Sequence, residues 1–201
     1  LENALLLDDM APQDMRLPMT PSPRGAAWPG SQDLPPRQAS VLILAFPGAD
    51  EGLNIVLTRR SDALRGHAGQ ISFPGGQRDP LDPDPIVTAL RETCEELGLC
   101  DDHMNILGTL PDLYIPPTHY NVAPVVATMT ATPQFRPNAD EVAEVLTLPI
   151  TQLLDPALKH SETRHLDGIQ WHVPYYDVNG HKVWGATAMM LSELEGRLRC
   201  V

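Results

Sequence analysis

Cysteine, basic residues and long apolar runs are all scarce in this chain. Its three cysteines, Cys94, Cys100 and Cys200, are too few and too irregularly spaced for a disulfide framework or a zinc ribbon. They read as free thiols in a reducing compartment. Only 14 Lys plus Arg stand against 26 Asp plus Glu, a formal net charge of −12, which excludes a general nucleic-acid binder. No apolar run approaches the ~18 residues of a membrane helix, and Asp8, Asp9 and Asp14 break any secretory signal. The sequence therefore predicts a soluble, cytoplasmic protein with no membrane or nucleic-acid partner. A hydrophobic fraction of 42% with 20% charged residues suits one domain with a buried core and a tail.

Proline is abundant, 21 residues in all, and Pro12, Pro18, Pro21, Pro23, Pro29, Pro35 and Pro36 precede the first strand. Locked φ angles and missing amide donors make residues 1–37 an arm without helix or central strand, and residues 38–201 the domain. From Ser40 the texture changes. VLILAF (Val41 to Phe46) and NIVLTRR (Asn54 to Arg60) are core strands joined by a turn-rich stretch. QISF runs into Pro74, Gly75 and Gly76, and an Asp/Pro loop leads to a helix with Asp84 as N-cap, Pro85 at its first position and Gly98 as C-cap. Ile86, Leu90, Thr93 and Leu97 form its buried stripe. Strands follow at Asn105 to Leu110 and Val122 to Thr128, then a strand or helix over Glu141 to Ile150. Asn179-Gly180 marks a hairpin, and Ala186 to Leu198 reads as helix with Ala188, Leu191, Leu194 and Leu198 at helical spacing. The pattern is α/β, a mixed β-sheet sandwiched between α-helices.

The first helix carries RETCEE on its polar side, so Glu92 and Glu96 share a face with Glu95 beside them. Three clustered carboxylates repel one another unless cations compensate. One reading is a solvated acidic face with Arg91 paired to Glu95 at i,i+4. The other is a site for Mg²⁺ or Mn²⁺, since hard oxygen donors stand on a rigid element beside two glycines that let a phosphate chain approach the backbone.

RETCEELGL (Arg91 to Leu99) resembles the second half of the Nudix box, G-x5-E-x7-REUxEExGU, with Gly76 as its opening glycine. Upstream, LTRRSDALRGHAGQISFPGG (Leu57 to Gly76) is similar to the signature of the coenzyme A pyrophosphatase branch of that superfamily. PPTHYNVAPVV, NADEVAEVLTLPI and VWGATAMML extend the resemblance over nearly all of residues 38–200. One departure stands out: where the box expects Glu, eight residues before Arg91, this chain has Pro83, and the stretch from Gly76 to Arg91 is one residue longer than the pattern. Asp82 or Asp79 is the candidate replacement.

The resemblance implies a Nudix fold and metal-dependent hydrolysis of the pyrophosphate bond of coenzyme A or its derivatives, giving 3′,5′-ADP and 4′-phosphopantetheine or its acyl form. It assigns Arg91, Glu92, Glu95 and Glu96 to catalysis, the three glutamates as ligands of Mg²⁺ or Mn²⁺. It also makes Glu141 the candidate general base, ahead of Asp140 and Glu144. Charge agrees with a polyanionic substrate. Residues 56–78 hold Arg59, Arg60, Arg65 and Arg78 against Asp62 alone, whereas residues 79–102 hold eight acids against Arg91. Arg59, Arg60, Arg65, His67, Gly75 and Gly76 are therefore the substrate-binding candidates. Two alternatives stay open: a Nudix hydrolase for another nucleoside diphosphate such as NADH or ADP-ribose, and a non-catalytic nucleotide sensor. His160, His165, His172 and His181 lack zinc spacing. Cys94 reads as core rather than nucleophile, and Trp184 as packing.

Overall fold

The computed structural model describes residues 1–5, 12–23, 34–48, 52–64, 66–100, 103–166 and 168–201. Short helices Glu2–Leu5 (α1) and Pro12–Arg16 (α2) come first. Strands Arg37–Pro47 (β1), Leu53–Arg60 (β2), Ile71–Ser72 (β3) and Gly75–Gln77 (β4) lead to helix Pro85–Leu97 (α3). Next are Asn105–Thr109 (β5), Leu113–Ile115 (β6), Tyr120–Thr128 (β7), Val142–Pro149 (β8) and the helical turn Ile150–Leu153 (α4). Strands Lys159–Leu166 (β9), Ile169–Val178 (β10) and His181–Trp184 (β11) precede helix Gly185–Leu198 (α5). The chain divides into two units, Gly30–Thr151 and Leu1–Pro29 with Gln152–Val201, where the sequence suggested an arm and one domain split at 37/38.

The larger unit is built on a mixed sheet of eight strands in the order β3-β2-β1-β7-β5, with β4 on β1, β6 on β7 and β8 on β2. The β1–β7 pair is parallel and the others are antiparallel. Because β1 lies between β2 and β7, it is buried without alternation from Leu42 to Phe46, which explains its unbroken apolar run. Helix α3 begins and ends as its caps predict. The Asp84 carboxylate accepts the Val87 N–H at 2.9 Å, and Gly98 at φ 68° closes the last turn onto the Cys94 carbonyl. Ala89 and Leu97 pack into a core of Leu42, Leu44, Phe46, Val56, Val125 and Ala127, with Ile86 and Leu90 half-buried at its edge.

The structure corrects the reading of three free thiols: Cys94 and Cys100 form a disulfide. The left-handed cap at Gly98 turns the chain back on itself, bringing the two Cα atoms to 4.4 Å. The cysteines therefore no longer argue for a reducing compartment.

In the smaller unit β9, β10 and β11 form an antiparallel sheet. Asn179 and Gly180, both at positive φ, make the expected two-residue turn between β10 and β11. The prolines of the first 37 residues did not exclude helix. Pro12 opens α2, where its missing N–H costs no hydrogen bond. This segment rests on α5: Ala4, Met15 and Met19 are buried, and the Ser192 hydroxyl donates to the Met15 carbonyl at 2.6 Å. Among the described residues no helix is long and apolar enough to cross a membrane.

Candidate active site

Four segments of the larger unit meet around the polar face of α3. Strand β4 lies along β1, with Gly75 and Gly76 opposite Val41 and Ser40. Gly75 sits at φ 148°, and a Cβ there would strike the backbone of Ser40 and Val41. A Cβ on Gly76 would overlap the Glu92 carboxylate. The glycines thus admit a neighbouring strand and a helix carboxylate at close range.

The loop Asn138–Glu141 is tied to the same helix, because the Asn138 N–H donates to the Glu96 carbonyl and the Arg136 N–H to that of Leu97. The Ser61 N–H donates to the Glu141 carbonyl at 2.8 Å, which fixes Glu141 at the end of β2. Here the β2–β8 register slips between Arg59 and Arg60, an irregularity of the kind that re-aims side chains beside functional sites.

Glu96 is nearly buried, 4% exposed. Its carboxylate accepts the Gly75 N–H at 3.3 Å and lies 3.7 Å from Nη1 of Arg60. Burial pushes its pKa up to about 7 against the pull of Gly75 and Arg60, with the Glu141 and Glu92 charges adding to the rise. Glu92 is raised as well, first by burial and then by Glu95 and Glu141, while Arg91 opposes the shift. Three carboxylates from two segments therefore feel one another in a partly dry place. Arg60 contributes the cation, and its buried Nε has no acceptor among the described residues.

Asp82 answers for the residue missing at Pro83. Its buried carboxylate accepts Nε of Arg91 at 3.2 Å and Nη2 at 3.0 Å, together with the Asp79 N–H at 2.9 Å and the Thr88 hydroxyl at 3.0 Å. The Arg91 hydrogen bond, then the Asp79 N–H, hold its pKa down at about 2. Asp79 itself only closes the turn, accepting the Leu81 N–H. Arg91 also donates to the Gln77 carbonyl and pairs with Glu92 at 2.8 Å and Glu95 at 3.1 Å.

The other candidates fall unevenly around this centre. Glu95 is half-exposed and takes the i,i+4 pairing with Arg91. Arg59 is engaged by Asp62 at 3.2 Å and Glu144 at 3.6 Å. His67 is exposed, with Nδ1 2.8 Å from Oε1 of Gln70. Arg78 holds the loop through the Asp82 and Pro83 carbonyls. Arg65 lies outside the described residues. Thr88 was missed, although a hydroxyl one helical turn before Arg91 is a readable signal.

Hard carboxylate oxygens with too few cations suit a divalent ion. Glu92, Glu96 and Glu141 have the donor chemistry for one, and burial first, then neighbouring carboxylates, raises the pKa of Glu92 and of Glu96. Among the described residues no three acids, histidines or cysteines are already gathered as a ligand set, since Glu92 and Glu95 both face Arg91.

Comparison with known proteins extends this picture. Residues 36–171 match the NUDIX domain. A protein of Pectobacterium atrosepticum, named an uncharacterized Nudix hydrolase, NudL, is 37% identical over 166 residues, covering 79% of this chain and 81% of its own. A Yersinia pestis protein of the same name is 37% identical over 158 residues, covering 79% and 78%. Among solved structures, the Nudix hydrolase RenU of M. smegmatis has a TM-score of 0.55 at 21% identity, covering 87% of this chain and 93% of that one. The MutT protein of Methanosarcina mazei gives 0.53 at 18%, covering 84% and 99%. The structural likenesses establish the α/β Nudix fold, while the matched domain and the sequence relatives establish descent. On the domain match and the sequence relatives the chain belongs to the Nudix family.

Proposed function

We propose that this Nudix protein hydrolyses the pyrophosphate bond of coenzyme A or a CoA derivative, with Mg²⁺ or Mn²⁺, to 3′,5′-ADP and 4′-phosphopantetheine or its acyl form. The observation that carries the hydrolase reading is the meeting of Glu92, Glu96 and Glu141 with Arg60 at one end of the sheet. The CoA reading is supported by the resemblance of Leu57 to Gly76 to the CoA pyrophosphatase signature.

Glu92 and Glu96 would hold the metal, with Glu95 within reach on the same helix. A divalent ion bound there supplies positive charge to the diphosphate oxygens and acidifies its water. Arg60, under-satisfied by the protein, binds a substrate phosphate oxygen. Glu141 takes the proton of the attacking water. Asp82 keeps the Arg91 fork turned toward Glu92 and Glu95. With that position filled, the missing box Glu no longer favours a nucleotide sensor over an enzyme.

Purified protein with Mg²⁺ or Mn²⁺ is to be tested against CoA, dephospho-CoA, NADH and ADP-ribose, with products identified by mass. The expected result is preferential cleavage of CoA to 3′,5′-ADP and 4′-phosphopantetheine. Preference for NADH or ADP-ribose overturns the CoA reading, and turnover of none of the four overturns the hydrolase reading. Within this assay Arg60→Ala is expected to lower kcat/KM for CoA by about 1.5–3 kcal/mol, the worth of a hydrogen bond to a charged group. A smaller loss with dephospho-CoA would assign Arg60 to the 3′-phosphate, and an equal loss to the diphosphate.

A further inference from the structure

Thr88 has no place in the box pattern, yet it is a fully buried hydroxyl one helical turn before Arg91. Its Oγ1 lies 3.0 Å from Oδ2 of Asp82 and 3.4 Å from the Asp84 carbonyl, the usual acceptor four residues back. A hydroxyl has one proton. The shorter distance and the charge on the acceptor direct it to Asp82.

That bond compensates for the irregular loop. The residue in the box Glu position is Pro83, which has no carboxylate, and the aspartate before it is one methylene shorter than glutamate. Asp82 therefore meets Arg91 from a loop one residue longer than the pattern, and is held there from two sides. The Asp79 N–H secures it from the loop at 2.9 Å, and the Thr88 hydroxyl secures it from the helix. Contacts then run from Asp82 to Arg91, and from Arg91 to Glu92 at 2.8 Å and Glu95 at 3.1 Å. We propose that Thr88 is a positioning residue for hydrolysis: its hydroxyl fixes Asp82 against Arg91, and thereby sets the helix glutamates that would hold the metal. The proposal rests on the hydrolase reading for its effect on turnover, but its structural half stands apart from any substrate.

The test compares Thr88→Val, which keeps the shape and loses the hydroxyl, with Thr88→Ser, which keeps the hydroxyl. In metal-free protein without nucleotide, the Arg91 Nε–H proton is followed by ¹⁵N–¹H spectroscopy. Its solvent exchange should quicken roughly tenfold in Thr88→Val and stay near wild type in Thr88→Ser, because an unanchored Asp82 releases the guanidinium more often. With the substrate that the wild type cleaves, Thr88→Val should lose roughly tenfold in kcat with KM within about twofold, as expected when the reacting geometry alone suffers. Thr88→Ser should restore it. In an Asp82→Ala background Thr88→Val should cause no further loss. Unchanged Arg91 exchange, failure of the serine to rescue, or a full further loss in the Asp82→Ala background overturns the proposal. If the wild type cleaves none of the nucleotides, the hydrolase reading fails while the exchange measurement still decides whether Thr88 anchors Asp82 and Arg91. Should Thr88→Val not fold, Thr88→Ala carries the same expectations.

Discussion

Glu96 was expected to face solvent on the polar side of its helix, and it is instead the most buried of the helix glutamates, seated on the Gly75 amide. Its substitution is therefore informative. Glu96→Gln keeps the shape and an acceptor for Gly75, so the fold should persist while metal-dependent turnover falls roughly 10²-fold or more. Saturating Mg²⁺ in the kinetic assay should not restore it. Asp82 and Asp84 separate another pair of roles two residues apart. Asp84→Ala removes a helix cap worth about 1 kcal/mol and should leave activity per folded molecule intact. Asp82→Ala strips Arg91 of its carboxylate and should damage activity more, measured at equal folded fraction. The Asp82 carboxyl also titrates from about 2 in the folded state, below the ~3.9 of an unfolded Asp. Its contribution to stability is thus complete above about pH 4 and is lost as pH falls through the folded value. A carboxyl ¹³C titration with an Asp82 midpoint near 4 would show that the bond to Arg91 is absent in solution.

At the scale of elements, what the sequence made legible was whatever is decided locally. The ends of α3 follow from Asp84, Pro85 and Gly98, and the last hairpin follows from Asn179-Gly180. What stayed hidden was decided by distant partners. The register slip at Arg59/Arg60 exists only because β8 pairs there. Glu193 and Glu195 look like the polar face of α5 and are buried, because Arg16 and Lys159 arrive from elsewhere in the chain. The glycine pair was legible as a close approach, but not whose. Its two members should part company on substitution. In Gly76→Ala the atoms nearest the new methyl belong to the flexible end of Glu92, so the melting temperature should hold within a few degrees while metal affinity and turnover drop. In Gly75→Ala the methyl meets β1 backbone at a φ that L-residues rarely adopt, so stability itself should fall by about 2 kcal/mol or more. Thermal unfolding beside a Mn²⁺ titration distinguishes the two outcomes.

Across the whole molecule, a net charge of −12 makes every buried cation consequential, and the smaller unit shows where two of them go. Glu193 is completely buried, and Nη2 of Arg16 lies 2.6 Å from one of its oxygens while Nη2 of Arg197 lies 3.1 Å from the other. Beside it Glu195 takes Lys159 at 2.8 Å, Arg199 at 2.9 Å and the Tyr176 hydroxyl at 2.8 Å. The amino-terminal segment thus supplies a counterion to a carboxylate that lies 177 residues away along the chain, and Met15 and Met19 add apolar cover to the same unit. Removing one partner from a buried ion pair leaves the other desolvated and short of charge, a loss larger than the pair's net worth. Arg197 still serves Glu193, so Arg16→Ala should cost roughly 2–4 kcal/mol rather than unfold the unit outright. Because the pair is buried, added salt should change this loss little. Urea unfolding followed through Trp171 and Trp184, which lie on the strands of this unit, measures it directly. Deleting residues 1–22 should cost more than Arg16→Ala, since the apolar cover goes with the charge. An unchanged urea midpoint in both variants would make the segment a surface attachment and leave Glu193 to Arg197 alone.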